Sequence, residues 1–323
     1  MKPKVLVTRE VFDEVLTFLG ASLDVEANQE DVPLNPQTLR TLLADKDGVM
    51  CALTDRIEPE LIAACPKLKA VSNIAVGYNN IDVPACSERL IMVTNTPGVL
   101  DETTADLVWA LLLATARRLT EVETYLRNGE WVGWKLKQLL GTDVHHATLG
   151  VVGMGRIGQK IARRALGFEM QVVYHNRTRL ASSIEAALHA EYVDMQTCLA
   201  RSDFVVLQVP YAQSTHHLIG AKELAQMKPT AILINAARGG VVDDAALIEA
   251  LERGAIFAAG LDVFENEPKF NPGFLGLKNV VLAPHIGSST QATRLAMAMT
   301  AAQNLVAALN GRTPPNLVNS VEA

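Results

Sequence analysis

A glycine-rich turn between a predicted strand and a predicted helix is the feature that most limits how this chain can fold. The apolar stretch 148–152 leads into Gly153, Gly155 and Gly158, spaced as G-x-G-x-x-G, and a helix-like stretch follows from Gln159. The first glycine permits a tight turn, the second lets the backbone approach a pyrophosphate, and the third lets helix and strand pack closely. Free N–H groups at the helix N-terminus would bind the anion. This order of elements favours a dinucleotide-binding site over a simple turn.

Short apolar stretches, typical of buried strands, alternate with helix-like stretches along the whole chain. The predicted strands are 4–8, 23–27, 48–53, 68–74 and 91–96 in a first series, and 148–152, 171–175, 204–209, 231–236, 258–263 and 280–283 in a second. The predicted helices include 11–19, 36–44, 59–65, 83–90 and 291–309. Such alternation builds parallel sheets that are covered on both faces. We therefore predict an α/β fold with two sheets, of which the second, with about six strands, is a doubly wound dinucleotide-binding sheet.

A long helix is predicted at about 104–120, after the break at Pro97-Gly98. Asp101 and Thr103 are candidates to cap its N-terminus. Its residues are apolar on nearly every side. Because a helix of this kind must be buried, we expect it to pack against a second domain or a second subunit.

The composition is that of an ordinary globular protein. Hydrophobic residues make up 49% and charged residues 20% of 323 residues, and the formal net charge is −6 with both signs scattered. Nucleic acids and anionic membranes call for basic patches, so we expect neither partner. The N-terminal segment lacks a signal-peptide core, and the longest apolar stretch, near 107–116, is about half of a membrane span.

The cysteines point to a reducing compartment and to no metal centre. Cys51, Cys65, Cys86 and Cys198 form no C-x-x-C pair, and no histidine lies near them at metal-ligand spacing. We therefore expect four inert thiols, a cytoplasmic location and no metal site.

The end of the second strand in the second series predicts which cofactor is bound. An acidic residue that binds the ribose hydroxyls is expected about 20 residues after the glycine loop. Asn176 holds that position, and Arg177 and Arg179 follow it. An acidic side chain repels a 2′-phosphate, whereas arginine pairs with it. These residues favour NADPH as the preferred cofactor, with NADH as the alternative; a basic, solvated loop is the other interpretation.

Three polar residues follow strands of the second series and suit the chemistry of a 2-oxo acid. Arg238 and His285 lie at or just beyond strand ends, and Glu267 lies a few residues past one. A guanidinium orients a carboxylate through two hydrogen bonds, and histidine supplies protons near neutral pH. Glu267 would stabilise the imidazolium. Taken singly, the arginine could form a surface salt bridge, the glutamate could be an exposed loop acid, and the histidine could be a capping or core residue.

With these motifs the chain resembles the D-isomer-specific 2-hydroxyacid dehydrogenases over essentially its whole length. The resemblance implies two doubly wound parallel-sheet domains, with a Rossmann-type cofactor domain inserted in a flavodoxin-like substrate domain. On this chain the substrate-binding domain would comprise 1–99 with 289–323, and the NAD(P)-binding domain 100–288. The helix after Pro97-Gly98 would lie at the domain hinge and at the interface of a homodimer.

The resemblance also implies the roles of individual residues. Arg238 would bind the substrate, Glu267 would partner the histidine, and His285 would donate the proton. Further cofactor contacts would come from Thr104, Arg156, Ile157, Pro210, Ala236, Ala237, Asp262 and Gly287, besides Arg238 and His285. Substrate contacts would come from Leu53, Val76, Gly77 and Trp134, the last reaching the neighbouring subunit's active site or serving as an ordinary interface aromatic.

Within the family the chain is most similar to glyoxylate/hydroxypyruvate reductases, including the bacterial type that also acts on 2-ketogluconate. This similarity implies reduction of a small 2-oxo acid to a D-2-hydroxy acid. D-lactate and phosphoglycerate dehydrogenases are alternatives within the family. A non-enzymatic NAD(P)-sensing protein or corepressor is the alternative outside enzymes, because a fold alone does not prove catalysis.

Overall fold

The structure is a computed structural model, and it describes residues 1–320. The chain forms two compact units. The first unit is Met1–Leu100 with the chain from Ser289 onward, and the second is Asp101–Ser288. None of the described helices combines the length and the apolar character that a membrane span requires.

The first unit contains a five-stranded parallel sheet. Its strands are β1 (Lys4–Val7), β2 (Asp24–Ala27), β3 (Gly48–Cys51), β4 (Ala70–Asn73) and β5 (Met92–Thr94). They lie in the order β2-β1-β3-β4-β5. This is the flavodoxin-like strand order, as the family resemblance implies.

Helices cover both faces of this sheet. They are α1 (Asp13–Ser22), α2 (Pro36–Leu43), α3 (Pro59–Ala64), α4 (Val83–Glu88) and a C-terminal helix, Gln291–Leu309. Because successive strand residues point to opposite faces, Val5 and Val7 pack in one core with Leu305 of the C-terminal helix. Leu6 packs on the other face with Ile62. Both faces are therefore buried, as the apolar strands predict.

The second unit contains a seven-stranded parallel sheet. Its strands are β6 (Thr148–Val152), β7 (Gln171–His175), β8 (Ala190–Tyr192), β9 (Phe204–Leu207), β10 (Ile232–Asn235), β11 (Ala258–Leu261) and β12 (Val280–Leu282). They lie in the order β12-β11-β10-β9-β6-β7-β8. The sequence predicts all but β8, a short edge strand whose residues are partly or fully exposed and carry no apolar pattern.

The long helix of the second unit differs from the prediction. Helix α5 is Asp101–Ala116, so Asp101 and Thr103 lie inside its first turn and do not precede it. Arg118 then adopts a left-handed backbone conformation, and a separate helix, α6 (Leu119–Arg127), follows. Helix α5 packs on helix α7 (Arg156–Ala165) and on β10, β11 and β12. Its buried side chains therefore pack within its own unit, and its predicted place between domains or against a second subunit stays a prediction.

The remaining helices of the second unit are α8 (Ser182–Leu188), α9 (Met195–Arg201), α10 (Ala221–Leu224) and α11 (Asp244–Glu252). The chain runs from β6 outward to β8 and then returns to β9 on the other side of β6. In such sheets ligands bind at the carboxyl ends of the strands where this reversal occurs. The loops after β6 and β9 are therefore the expected place for a cofactor.

Candidate active site

The glycine loop after β6 has the geometry that its spacing predicts. Gly153 has φ +101°, and a Cβ atom there would lie 2.6 Å from the backbone carbonyl of Gln208. A Cβ on Gly158 would clash with the carbonyl oxygen of Gly153. At Gly155 a Cβ would meet nothing within 4 Å, so this position faces open space. No side chain caps α7, so its N-terminal N–H groups suit a pyrophosphate.

A buried amide beside this loop was not predicted from the sequence. The Nε2 atom of Gln208, at the end of β9, is buried and has no hydrogen-bond partner among the described residues. Buried donors are nearly always paired, so an unpaired one next to a glycine loop fits a site that a polar ligand completes. Sequence patterns do not reveal such an atom, because its isolation depends on tertiary packing.

The residues predicted to select the cofactor have different environments. The Oδ1 atom of Asn176 accepts a 2.6 Å hydrogen bond from the N–H of Met154, and so fixes the glycine loop. Arg179 donates two hydrogen bonds, of 2.9 and 2.8 Å, to the buried carboxylate of Glu185. This ion pair holds the pKa of Glu185 below its ordinary value. Arg177 is exposed and forms no ion pair with any described residue, so of the two arginines it is the one with a free guanidinium.

The predicted proton donor and its predicted partner lie in contact. The Nδ1 atom of His285 lies 2.7 Å from Oε2 of Glu267. The other oxygen of Glu267 accepts a 2.7 Å hydrogen bond from the N–H of Phe264, which holds the carboxylate in place. With Nδ1 engaged, Nε2 of His285 is left for a substrate. His285 has φ +54°, an uncommon conformation for a residue other than glycine, and such residues concentrate at functional sites.

Arg238 follows β10, two residues beyond Ala236. Its Nη1 atom donates a 2.6 Å hydrogen bond to the carbonyl of Ala237. It forms no ion pair within the described part of the chain. Burial lowers the pKa of Arg238, and the nearby charge of Glu267 opposes that shift. Because the ordinary pKa of arginine lies far above neutrality, the group stays charged. A half-buried, unpaired guanidinium suits the carboxylate of a ligand.

Asp262, at the end of β11, organises the loop that carries His285. Its carboxylate accepts hydrogen bonds from the N–H groups of Ile286 at 2.7 Å and Gly287 at 2.9 Å. Burial raises the pKa of Asp262, and these hydrogen bonds oppose the shift. The predicted contact of Asp262 with a carboxamide stays a prediction. Thr104, on α5, is buried beside Gly287, so two further predicted cofactor residues lie together.

In the first unit, the loop after β4 contains free backbone donors. The N–H groups of Val76 and Gly77 donate no hydrogen bond to any described residue, whereas their carbonyls accept hydrogen bonds of 2.8 Å from Asn95 and Asn73 respectively. The amide of Asn80 donates to the carbonyl of Ala52 at 3.2 Å. This bond ties the loop to the segment before Leu53.

The three asparagines Asn73, Asn80 and Asn95 were missed as supports of this loop. The partners of Asn80 and Asn95 lie on distant segments, which spacing along the chain does not show. Two further predicted site residues lie on the surface. Trp134 is 78% exposed and makes no hydrogen bond or ring contact with a described residue, and Pro210 is exposed.

The chain matches known proteins along its whole length. Residues 109–287 match the family model described as D-isomer specific 2-hydroxyacid dehydrogenase, NAD binding domain. A glyoxylate reductase of Thermococcus gammatolerans is 48% identical over 99% of this chain and 96% of its own. The chain therefore belongs to the D-isomer specific 2-hydroxyacid dehydrogenase family, as its motifs predict, and it is an NAD(P)-dependent oxidoreductase.

Solved structures agree with the fold. A Thermus thermophilus protein is 43% identical and superposes with a TM-score of 0.91, over 98% of this chain and all of its own. An NADPH-dependent glyoxylate/hydroxypyruvate reductase from Sinorhizobium meliloti, in complex with NADP and malonate, is 34% identical with a TM-score of 0.86. That match covers 98% of this chain and 97% of the reductase. The prediction of two parallel-sheet α/β domains is confirmed.

Proposed function

We propose that the protein catalyses the NADPH-dependent reduction of small 2-oxo acids to D-2-hydroxy acids. The observation that carries this proposal is the contact of His285 with Glu267 in the unit that also contains Arg238 and the glycine loop. We assign cofactor binding to the second unit, because the family model for the NAD binding domain matches within it. We assign the further substrate contacts of Leu53, Val76 and Gly77 to the first unit.

The residues divide the chemistry among them. When bound, the reduced nicotinamide supplies a hydride to the carbonyl carbon. Arg238 binds the carboxylate and orients the carbonyl. His285 donates a proton from Nε2 to the carbonyl oxygen, which becomes the hydroxyl. Glu267 keeps the imidazole oriented through Nδ1 and stabilises its charged form. The backbone donors of Val76 and Gly77 provide a further place for the substrate carboxylate.

The cofactor would be held mainly by backbone groups. We assign its pyrophosphate to the loop from Gly153 to Gly158 and to the start of α7. We assign the 2′-phosphate to Arg177, because Arg179 is already bound to Glu185. The NADPH-dependent relative from Sinorhizobium meliloti supports this preference.

The two arginines provide a matched test of the NADPH preference. Replacing Arg177 with glutamine is expected to weaken NADPH binding about 10–100-fold and to leave NADH binding unchanged, since a charge-assisted hydrogen bond contributes roughly 1.5–3 kcal/mol. The control Arg179→Gln should leave the ratio of the NADPH and NADH dissociation constants near the wild-type value. It should lower the melting temperature, because the buried carboxylate of Glu185 loses its charged partner and keeps the hydrogen bond from Tyr174. Fluorescence titration of both cofactors measures these effects. If the ratio of the NADPH and NADH dissociation constants were unchanged in Arg177→Gln, this residue would not determine the cofactor preference.

Glyoxylate and hydroxypyruvate are the substrates we propose first, with 2-ketogluconate third. The glyoxylate reductase from Thermococcus gammatolerans and the glyoxylate/hydroxypyruvate reductase from Sinorhizobium meliloti support the first two. A panel of these acids with pyruvate and 3-phosphohydroxypyruvate, each with NADPH and NADH, tests the proposal through kcat/KM. We expect the highest values for glyoxylate or hydroxypyruvate with NADPH. Highest values for pyruvate or 3-phosphohydroxypyruvate would instead assign a lactate or phosphoglycerate dehydrogenase.

We also propose a homodimer formed through the surface around α6. Seven large apolar side chains are exposed between residues 119 and 140, namely Leu119, Leu126, Trp131, Val132, Trp134, Leu136 and Leu140. Exposed apolar surface of this extent is unusual for a monomer and typical of an interface. Trp134 is the residue we propose to reach the partner's active site.

Light scattering after size-exclusion chromatography tests the dimer. Wild-type protein is expected to have the mass of two chains. The double variant that combines Leu126→Asp and Leu136→Asp is expected to have the mass of one chain. Leu275→Asp is the control, because Leu275 is equally exposed and lies outside this surface. A monomeric wild type, or a double variant that stays dimeric, would contradict the assignment.

We place the protein in the cytoplasm, since its four cysteines are free thiols.

A further inference from the structure

Two neighbouring histidines and a glutamate form a compact group that the proposed reaction does not use. We call His216, His217 and Glu265 the His216 cluster. One nitrogen of each histidine and one carboxylate oxygen of Glu265 all lie within 4.8 Å of one another. Among the described residues it is the one group of at least three histidine, cysteine, aspartate or glutamate side chains with this proximity. Its glutamate lies 48 residues from His217, so spacing along the sequence does not reveal it.

The fold brings these residues together on two loops of the second unit. His216 and His217 lie in the segment after β9, and Glu265 lies after β11. The N–H of His217 donates to the carbonyl of Gly240 at 2.8 Å. The N–H of Glu265 donates to the carboxylate of Asp244 at 3.1 Å. A backbone N–H in each segment is therefore anchored by a hydrogen bond, and this positions the side chains of His217 and Glu265.

The contacts inside the cluster place nitrogen and oxygen donors side by side. Nε2 of His217 lies 2.6 Å from Oε1 of Glu265. The carboxylate of Asp243 lies 3.7 Å from Nδ1 of His217, where it can orient the ring. The ring of His216 stacks on that of His217 with centroids 3.9 Å apart. His216 is exposed, and its Nδ1 lies 3.3 Å from the hydroxyl of Tyr211, so its imidazole can turn at little cost.

We propose that the His216 cluster binds a divalent transition metal ion of the Zn²⁺ type. Two imidazole nitrogens and one carboxylate oxygen are a frequent protein ligand set for zinc, with the fourth position left to water. Zinc requires ligand distances of about 2.0–2.2 Å, so the three donors must close around the ion, and the exposed His216 can provide most of that movement. The hard cation Mg²⁺ prefers oxygen ligands and is not expected to bind.

The His216 cluster contains one more side chain, His216, than an ion pair between His217 and Glu265 needs. His217 and Glu265 satisfy each other without His216, whose ring is exposed yet lies against that of His217. A bound ion would join the segment after β9 to the segment after β11. Its ligand on the second segment, Glu265, lies two residues before Glu267. It would act as a structural clamp, because His285 and Arg238 already account for the proposed reaction. Binding to the folded state alone would raise the melting temperature.

Isothermal titration of the full-length protein with zinc chloride tests the proposal. The protein is first treated with a chelator that is then removed. Wild-type protein is expected to bind one ion per chain with saturation, and His216→Gln to bind it at least about tenfold more weakly. The matched control is His145→Gln, because His145 is also an exposed histidine beside a second histidine and a carboxylate. Magnesium chloride serves as the control ion.

The melting temperature without metal shows that the variants fold, and its rise with zinc gives a second readout. We expect zinc to raise the melting temperature of wild-type and His145→Gln proteins, and to raise that of His216→Gln far less. Three results would overturn the proposal: no saturable zinc binding by the wild type, equal affinity in wild type and His216→Gln, or equal weakening in both variants. None of these results depends on the reaction that the protein catalyses.

Discussion

Replacing His285 with alanine is expected to lower kcat by about 10²–10⁴-fold with glyoxylate and NADPH, the range that a positioned general acid contributes. The physical reason is that the substrate oxygen then lacks a proton donor as negative charge develops on it. Cofactor affinity should change little, since the pyrophosphate is assigned to the glycine loop. Stopped-flow or steady-state rates, together with a cofactor titration, separate the two quantities.

The control for this variant is His145→Ala, an exposed histidine of the same unit outside the proposed site. Glu267→Gln is the informative companion. It keeps a hydrogen-bonding group near Nδ1 of His285 and removes the charge, so we expect a smaller loss of kcat than for His285→Ala. A kcat within about threefold of wild type for His285→Ala would exclude this residue as the general acid.

Replacing Arg238 with alanine is expected to lower kcat/KM for glyoxylate by about 10³-fold, or roughly 4 kcal/mol of transition-state stabilisation. Two contributions are lost together. The guanidinium no longer pairs with the substrate carboxylate, and the carbonyl is no longer held in line with His285. The structural cost should be small, because the side chain makes one hydrogen bond, to the carbonyl of Ala237, and no ion pair among the described residues.

Arg238→Lys separates charge from geometry. Lysine keeps the positive charge and loses the two parallel donors, so its kcat/KM should fall between those of wild type and Arg238→Ala. The measurement is a substrate titration at saturating NADPH, with a cofactor titration of each variant. If Arg238→Ala weakened only NADPH binding, the residue would belong to the cofactor site.

Some strands of the second unit were predictable because clear local signals mark where they begin and end. Strands β6 and β7 begin and end where the apolar stretches predict, since a glycine loop or polar residues follow each. The C-terminal helix also has its predicted bounds, with Thr290 capping it. Strand β8 was missed because three residues on a sheet edge carry no apolar alternation. The end of α5 was missed because Arg118 turns the chain with neither glycine nor proline.

In the candidate site, too, some features follow from local motifs and others depend on tertiary contacts. The glycine loop and the trio of Arg238, Glu267 and His285 follow strand ends, and parallel strands bring their ends to one edge, so motifs suffice to predict them. Partnerships that cross the fold were not predictable. The pairing of Arg179 with Glu185 depends on how a loop meets α8, and no motif encodes it. It changes the cofactor assignment that the arginines alone suggest.

Transfer of deuterium from labelled cofactor tests the central proposal most directly. The protein is incubated in ordinary water with glyoxylate and NADPH carrying two deuterium atoms at C4 of the nicotinamide, and the product is examined by mass spectrometry and NMR. We predict glycolate with one deuterium on C2, formed in equal amount to the NADPH consumed. Bound NADPH without labelled product from glyoxylate, hydroxypyruvate or 2-ketogluconate would contradict the proposal and indicate a cofactor-sensing protein.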